Sequence, residues 1–454
     1  MNLNVNNLRL KLNEILNREN NKYFILNDWL HLVKIHPIFI EKYDSENFFL
    51  KNILKDFIKN ILKIFIYLFS STNNKLFKNR SYDFLIISHK LNNNYKQNDE
   101  DFYYGKIKEY LENNNLKFKF SYLNHSNFCK NDHSFFINEC SFWWKLKIFY
   151  NIIKTSICFI NKYKNKLNKK ILLKIFVEFF SIFTFHNFVI MNNLKQINKH
   201  NNIKYIVTTF EGYSWERSVY LSQKNLKTKT IGYQHTFISK KNNSILEINN
   251  KNMSPDIVFT SGEITRDIFQ KKNIFDNVKI FGENKIFKIA NKNNIRDKNN
   301  ILVAPDGVEN ECVKMMKFIF DFSIKNKNYN FIFRLHPVIN FEKLKKKNKI
   351  FNQNFSNIVF SEEKLQFDLE RSAYCLYRNS TIAFNCILSN VVPIFVNFDD
   401  ENSGNVFDGI KSINSISDIN DLEKSLISNN IDKDALIFTK KYFHEMNFDV
   451  LKSL

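Results

Sequence analysis

Glycine and proline are scarce in this chain, with 8 and 5 copies among 454 residues, where average proteins carry about 7% and about 5%. That scarcity excludes collagen-like and Pro/Gly-rich disordered chains. It also makes each survivor informative, because a rare residue persists where the backbone needs it. Gly212, Gly232, Gly262, Gly282 and Gly307 fall between positions 212 and 307, and Pro255, Pro305, Pro337 and Pro393 lie in the same half of the chain. The six cysteines, at 129, 140, 158, 312, 375 and 386, form no CxxC and no short regular spacing. A zinc ribbon and a disulfide framework are thereby excluded, and a reducing, cytosolic compartment is expected. Long apolar runs are missing as well. The one charge-free stretch long enough to span a bilayer, 379–398, holds Asn385, Ser389, Asn390, Pro393 and Asn397. It reads as a buried helix, a turn and a strand. Residues 1–21 are polar and carry Arg9, Lys11, Glu14, Arg18 and Glu19, unlike a secretory signal.

What is abundant is apolar and basic. Hydrophobic residues make up 44% of the chain and aromatics 16%, enough for sizeable buried cores. Length alone predicts two or three domains, at about 100–200 residues each. The 67 Lys and Arg outnumber the 45 Asp and Glu, for a formal charge of +22. Asn, Lys, Ile and Phe are the residues AT-rich codons supply, which accounts for much of that excess. The remainder suits acidic lipid headgroups or polyanionic substrates. No nucleic-acid reader motif accompanies the charge, so nucleic acid is not an expected partner.

The patterning divides the chain into a helical elaboration at 1–75, an α/β half at 76–292 and a second α/β half at 293–454. The break falls in the polar run 291–299 (NKNNIRDKN). Within 48–69 (FFLKNILKDFIKNILKIFIYLF) lysines recur every four residues on an apolar background, which predicts one charged stripe along a helix. That helix either packs on its neighbours or lies on the inner membrane surface. The apolar region 142–190, with its Phe142-Trp143-Trp144 start, predicts long helices, with membrane-surface contact as the alternative. Short apolar runs then read as buried strands at 82–89, 117–123, 205–209, 229–233, 257–260, 278–281, 300–304, 331–334, 358–360, 373–377 and 392–396. Helical patterns between many of them predict parallel sheets with crossover helices.

Ligands of open α/β sheets bind beyond the carboxyl ends of the strands, so the residues following each strand are the candidates. After 205–209 comes Phe210-Glu211-Gly212-Tyr213-Ser214-Trp215-Glu216, where Glu211 stands at a strand tip as a candidate base and Ser214 as a candidate helix cap. After 229–233 comes Gln234-His235-Thr236, with His235 a candidate base or phosphate ligand. Pro305-Asp306-Gly307 leads into an acidic helix start, and Arg334-Leu335-His336-Pro337 ends a strand with two cationic side chains suited to phosphate. Arg378-Asn379-Ser380-Thr381 opens the last candidate, a helix start rich in hydroxyls and backbone donors. Asp399-Asp400 lies in a polar loop, where adjacent acids are usually just solvated, and no metal is expected there. Walker, GxGxxG, GxSxG and HExxH motifs do not occur.

Taken in order, FEGYSWE, GYQH, TSG, IFG, VAPDG, RLHP and YRNST followed by VPIF resemble a bacterial surface-carbohydrate biosynthesis family that is similar to GT-B glycosyltransferases. RLHP and YRNST also resemble elements of bacterial sialyltransferases, capsule Kdo transferases and teichoic-acid glycerophosphotransferases that hold a cytidine nucleotide's phosphates. The resemblance covers roughly 82–398. It implies two Rossmann-like domains facing a cleft, a nucleotide-sugar donor in the second, and a glycan or lipid-linked acceptor; the basic excess and the lysine-striped helix add an anionic membrane surface as a further expected partner. It implies donor contacts from His336, Ser380 and Thr381, joined by Arg334, Arg378, Asp306 and Gly307, and a base at Glu211 or His235. No cofactor beyond the activated donor is expected. Alternatives of the same fold are a glycerophosphotransferase and a nucleotide-sugar epimerase, and one of another class is a non-catalytic scaffold at the membrane surface.

Overall fold

The computed structural model describes residues 46–70, 80–90, 100–124, 135–167, 169–238, 245–246, 251–272, 275–284, 297–337, 339–353, 355–398, 404–410, 413–426, 431 and 433–454, with backbone only at 46–53, 170, 171 and 174. Residues 1–45 of the helical elaboration, most of the boundary run (291–296) and Asp399-Asp400 lie outside these.

Two six-stranded sheets organise the chain. The first is built from β1 (Ser81–Lys90), β2 (Phe118–Asn124), β3 (Asn202–Thr209), β4 (Lys229–Gln234), β5 (Ile257–Thr260) and β6 (Val278–Ile280). Its spatial order is β2-β1-β3-β4-β5-β6, and every pair is parallel. The second contains β7 (Asn300–Ala304), β8 (Asn330–Phe333), β9 (Ile358–Phe360), β10 (Tyr374–Tyr377), β11 (Val392–Val396) and β12 (Ser415–Ile416). These lie in the order β12-β11-β10-β7-β8-β9, again all parallel. Counted within its own half, that is the 3-2-1-4-5-6 sequence of a dinucleotide-binding fold, while the first half follows the related 2-1-3-4-5 winding with one strand added. The architecture is α/β, with two Rossmann-like halves of GT-B type. The eleven strands expected from sequence are all present; only the two-residue β12 was not foreseen.

The strands read as unbroken apolar runs because both sheet faces are covered. Along β1, Leu85 and Ile87 enter the core on one face, and Phe84 and Ile86 the core on the other. Along β7, Leu302 and Ala304 alternate in the same way with Ile301 and Val303. The first face of the first sheet is roofed by α1 (Glu46–Phe69), α3 (Phe142–Tyr163), α4 (Lys169–Phe179) and α5 (Ile182–His200). A short α2 (Ile107–Asn113) covers the other. The expected helices at 142–190 are thus α3 to α5. Among the described residues, no helix is long and apolar enough to cross a membrane.

Parallel strands joined by crossover helices put all their carboxyl ends on one edge. The two halves meet near those edges. Phe237, three residues beyond β4, packs its ring at a tilt 5.6 Å from that of Phe384 in α11 (Ile382–Leu388), the helix that follows β10. It lies 4.9 Å from Tyr442 at the end of α13 (Lys433–Tyr442), whose hydroxyl accepts the Ile238 N–H at 2.8 Å. The remaining helices are α6 (Ser214–Gln223), α7 (Glu263–Gln270), α8 (Glu309–Lys325), α9 (Phe341–Lys347), α10 (Leu365–Arg371) and α12 (Ile419–Ser425).

The last residues do not stay with the second half, to which a boundary near 293 assigns them. After α13 the chain crosses back to the first sheet. His444 N–H donates to Ser261 O, Glu283 N–H to His444 O, and Asn447 N–H to Phe281 O, each at 2.8 Å. Tyr205 Oη donates to Leu454 O at 2.6 Å. This crossing needs a glycine at 282. Its φ is +88°, and a Cβ there would stand 2.6 Å from the Glu445 carbonyl carbon. Gly409 has a similar φ of +93° with nothing within 4 Å of a Cβ. Gly282→Ala therefore combines left-handed strain with overpacking, and about 2–4 kcal/mol of destabilisation is expected; Gly409→Ala carries strain alone, about 1–2 kcal/mol. Thermal melts of the two variants should rank in that order, and equal melting temperatures would remove the close approach as the reason.

Candidate functional site at the carboxyl ends of the sheets

In each half the strand order reverses direction at one point, and the loops leaving the two strands on either side diverge to open a crevice. In the first half that point lies between β1 and β3, and in the second between β7 and β10.

The loop after β3 is shaped by Glu216, which is fully buried. Its carboxylate accepts the N–H groups of Glu211, Gly212 and Tyr213 at 2.8–3.0 Å and the Thr209 hydroxyl at 3.0 Å. Burial, then the neighbouring Glu211 charge, push this carboxyl well above the usual carboxylate value, while the backbone donors pull it down. Gly212 takes the positive φ of +88° that lets three successive N–H groups converge. The N-cap of α6 is Tyr213, its N–H held by Glu216 at N3, and the expected cap Ser214 is the first helical residue, its hydroxyl accepting from Asn187.

Held this way, Glu211 reaches the residue that follows β4. His235 Nε2 lies 2.9 Å from Glu211 Oε1, off the line of a hydrogen bond. His235 is buried and Glu211 partly exposed. The two expected bases are therefore brought together as one pair.

Sequence reasoning missed two members of this cluster. His89, near the end of β1, places Nε2 3.1 Å from Thr209 Oγ1. Because the single Thr209 proton goes to Glu216, the His89 nitrogen is the donor in that contact. Tyr103 packs between the two imidazoles, 4.9 Å from the His89 ring and 5.1 Å from the His235 ring. Its loop is pinned by Asp101, which accepts the N–H groups of Tyr103 and Tyr104 and the Ser88 hydroxyl. The signal that could have found His89 was the polar end of its apolar strand, the same feature that marked Glu211.

In the second half, Asp306 follows β7 and Asn379 follows β10. Asn379 Nδ2 donates to Asp306 Oδ2 at 3.3 Å, and Val308 N–H donates to Oδ1 at 2.8 Å. Burial, with Glu311 adding repulsion, pushes the Asp306 carboxyl up to about 6. Gly307 is half-buried in the same turn. Ser380 is half-buried and Thr381 exposed just before α11, and Asn379 carries a positive φ of +46°. His336 is exposed beyond β8, next to β7 in the sheet. Asp306, Ser380, Thr381 and His336 thus leave neighbouring strands at one edge.

Both arginines of the expected phosphate site are held by carboxylates of the fold. Arg378 has no exposed surface. Its guanidinium is taken by Glu311, by Val396 O at 2.9 Å and by the Phe398 ring at 4.5 Å. It ties α8 to the end of β11 and cannot reach a ligand from there. Arg334 donates to the fully buried Asp368 at 2.8 Å and to Glu363 O at 2.6 Å, while Ser361 and Arg371 also bond Asp368. Its first role is to neutralise that carboxylate.

No protein-family model matches the chain, and no curated protein matches it in sequence. Solved structures share its layout. The kitacinnamycin glycotransferase is 8% identical with a TM-score of 0.45, covering 80% of this chain and 94% of its own. UDP-GlcNAc 2-epimerase from Methanocaldococcus jannaschii is 14% identical with a TM-score of 0.43, covering 79% and 98%. A UDP-N-acetylglucosamine 2-epimerase from Listeria monocytogenes is 10% identical with a TM-score of 0.46, covering 82% and 94%. These are likenesses of arrangement; the fold assignment rests on the strand orders above.

Asp306 has a measurable consequence. Burial lifts it to about 6, above the ordinary aspartate value of about 3.9, so the folded state favours the protonated form. The resulting penalty is absent below about pH 4, grows as pH rises through 6 and is complete above it. Asp306→Asn removes that penalty, with a ceiling of about 3 kcal/mol. The variant should melt higher than the parent at pH 7.5, by a margin that shrinks towards pH 4.5. A margin independent of pH would mean the carboxyl is not perturbed.

Proposed function

We propose that the chain is a GT-B-type glycosyltransferase that moves a sugar from a nucleotide donor to a surface polysaccharide or lipid-linked acceptor. The observation that carries this reading is the meeting of the two sheet edges. The Glu211–His235 pair leaves the first sheet, and two residues beyond His235 the Phe237 ring contacts Phe384, four residues beyond Ser380. The residues to which this reading gives the acceptor base and the donor phosphate therefore follow strands whose loops and helices meet at a common junction.

In this reading Glu211 or His235 takes the proton of the acceptor hydroxyl. The oxygen attacks the anomeric carbon from the face opposite the leaving group, with inversion. The bond from that carbon to the donor phosphate breaks, and the phosphate leaves with the electron pair. His336, the Ser380 and Thr381 hydroxyls and the backbone donors beside them stabilise the departing charge without a metal, as preorganised dipoles do elsewhere. Asp306 and Gly307 shape the floor of the donor site. Arg378 and Arg334 act as positioning residues through Glu311 and Asp368. Sequence resemblance favours a cytidine nucleotide carrying a Kdo- or sialic-acid-like sugar.

A thermal-shift titration with CMP, CDP, UMP, UDP and GDP, repeated on His336→Ala, tests the donor half, since a ligand of the native state raises its melting temperature. Stabilisation by a cytidine nucleotide that the substitution abolishes is expected. Stabilisation by UDP alone would replace the donor, and no shift with any nucleotide would overturn the transferase reading. With a turning-over donor, Glu211→Gln and His235→Ala should each lower kcat about 10²–10⁴-fold. Activity within a few-fold of the parent in both would remove the pair from the chemistry. Conversion of the donor sugar without any acceptor would identify an epimerase instead.

A further inference from the structure

The helical roof of the first half carries a large apolar face that the transfer reaction does not use. Along α1, Leu54, Ile58, Leu62, Phe65, Ile66 and Phe69 are each at least half exposed, with Phe69 at 72%. On a 3.6-residue period they form one arc. One side of that arc borders the packed face, where Phe57, Ile61, Ile64 and Leu68 join the core. The other side borders the exposed Lys55, Lys59 and Lys63. Asp56 is the one acid from 54 to 69. The start of α3 extends the patch. Phe142 lies 5.8 Å from the Phe69 ring and 5.5 Å from Trp143, which is 77% exposed. Lys147 reaches over Trp144 at 4.8 Å.

The patch has a fixed place relative to the site. Tyr67 Oη donates to Asn138 O at 2.6 Å, and the Asn138 side chain bonds the backbone N–H and C=O of Asn124, the last residue of β2. Asn124 pairs in register with Lys90, which follows His89 at the end of β1. The buried Lys145 Nζ donates to the carbonyls of Tyr67 and Ser70, fastening the start of α3 to the end of α1. The aromatic tip of the patch therefore stands beside the carboxyl edge of the first sheet, the edge that carries His89, Glu211 and His235.

We propose that this face docks the protein on an anionic lipid surface and points the first sheet's carboxyl edge at the bilayer. Apolar and aromatic side chains enter the headgroup boundary, where tryptophan is favoured, while the flanking lysines meet anionic headgroups. The lysine row is what selects lipid over a second copy of the chain, since pairing two such faces would bring like charges together. The docking itself stands apart from the transferase reading, and only the presentation of a membrane-held acceptor to Glu211 and His235 rests on it.

Co-sedimentation of the full chain with phosphatidylglycerol-containing vesicles and with pure phosphatidylcholine vesicles, without nucleotide, tests it. Binding to the anionic vesicles that weakens with salt is expected. The triple substitution Ile66→Ser, Phe69→Ser, Trp143→Ser should lower partitioning about tenfold or more, and Lys55→Gln, Lys59→Gln, Lys63→Gln several-fold. All six positions are exposed, and unchanged circular dichroism and melting temperature establish that each variant is folded. Three results would overturn the proposal. These are no binding to either vesicle, unchanged binding by the folded apolar variant, and a concentration-dependent dimer that the same apolar substitutions abolish.

Discussion

A carboxylate with no exposed surface, gathering three consecutive backbone N–H groups and a threonine hydroxyl, gives the loop after β3 its shape. A buried acceptor of that kind is favourable only while every donor stays in place, since each one withdrawn leaves charge or dipole uncompensated in low dielectric. Glu216 thus makes the geometry of 209–213 nearly all-or-none. Everything in the first half of the site hangs from it. Glu211 projects towards His235 because its own N–H is held, and Thr209 is left to accept from His89 because its proton is already committed. The same logic recurs in the second half, where the buried Arg378–Glu311 pair joins α8 to the strand end that launches Asn379 and Ser380.

Much of the architecture was legible in the sequence because the chain is poor in glycine and proline. With few breakers, the short apolar runs bounded by polar residues stand out as strands, and those at 82–89, 205–209 and 300–304 fall within β1, β3 and β7. The strand order was not legible. That β1 lies between β2 and β3, bringing His89 against Thr209, is decided by how crossover helices pack and not by any local pattern. For the same reason Tyr103 carried no signal: it sits in a turn before α2, and its value comes from the two imidazoles that the topology places around it.

The arginines teach a different lesson. A guanidinium at a strand tip reads as an anion ligand when the neighbouring strands are unknown. Arg334 and Arg378 each had a carboxylate waiting more than 30 positions away, Asp368 and Glu311. Such partners are invisible to short-range pattern, and buried charges almost always have them. His336, Ser380 and Thr381 have surface that Arg378 lacks, because histidine and hydroxyl groups at loop starts need no partner charge to be stable. A sequence-level rule follows: at a strand tip, an arginine competes with the fold for its own charge, whereas a hydroxyl or imidazole does not.

The return of the last residues to the first sheet also bears on how the chain comes to be folded. The backbone bonds of Ser261, Phe281 and Glu283 with residues 444–447, and the bond from the Tyr205 hydroxyl to Leu454 O, join segments more than 150 positions apart. During synthesis the first half is made well before its partners leave the ribosome. Until then the carboxyl ends of β5 and β6 lack their cover, and the loop to be closed spans the entire second half. The entropic cost of such a long loop grows only slowly with length, so the delay is one of waiting and not of stability. Once closed, the crossing segment adds backbone bonds to the Phe237 and Ile238 contacts that already join the two halves.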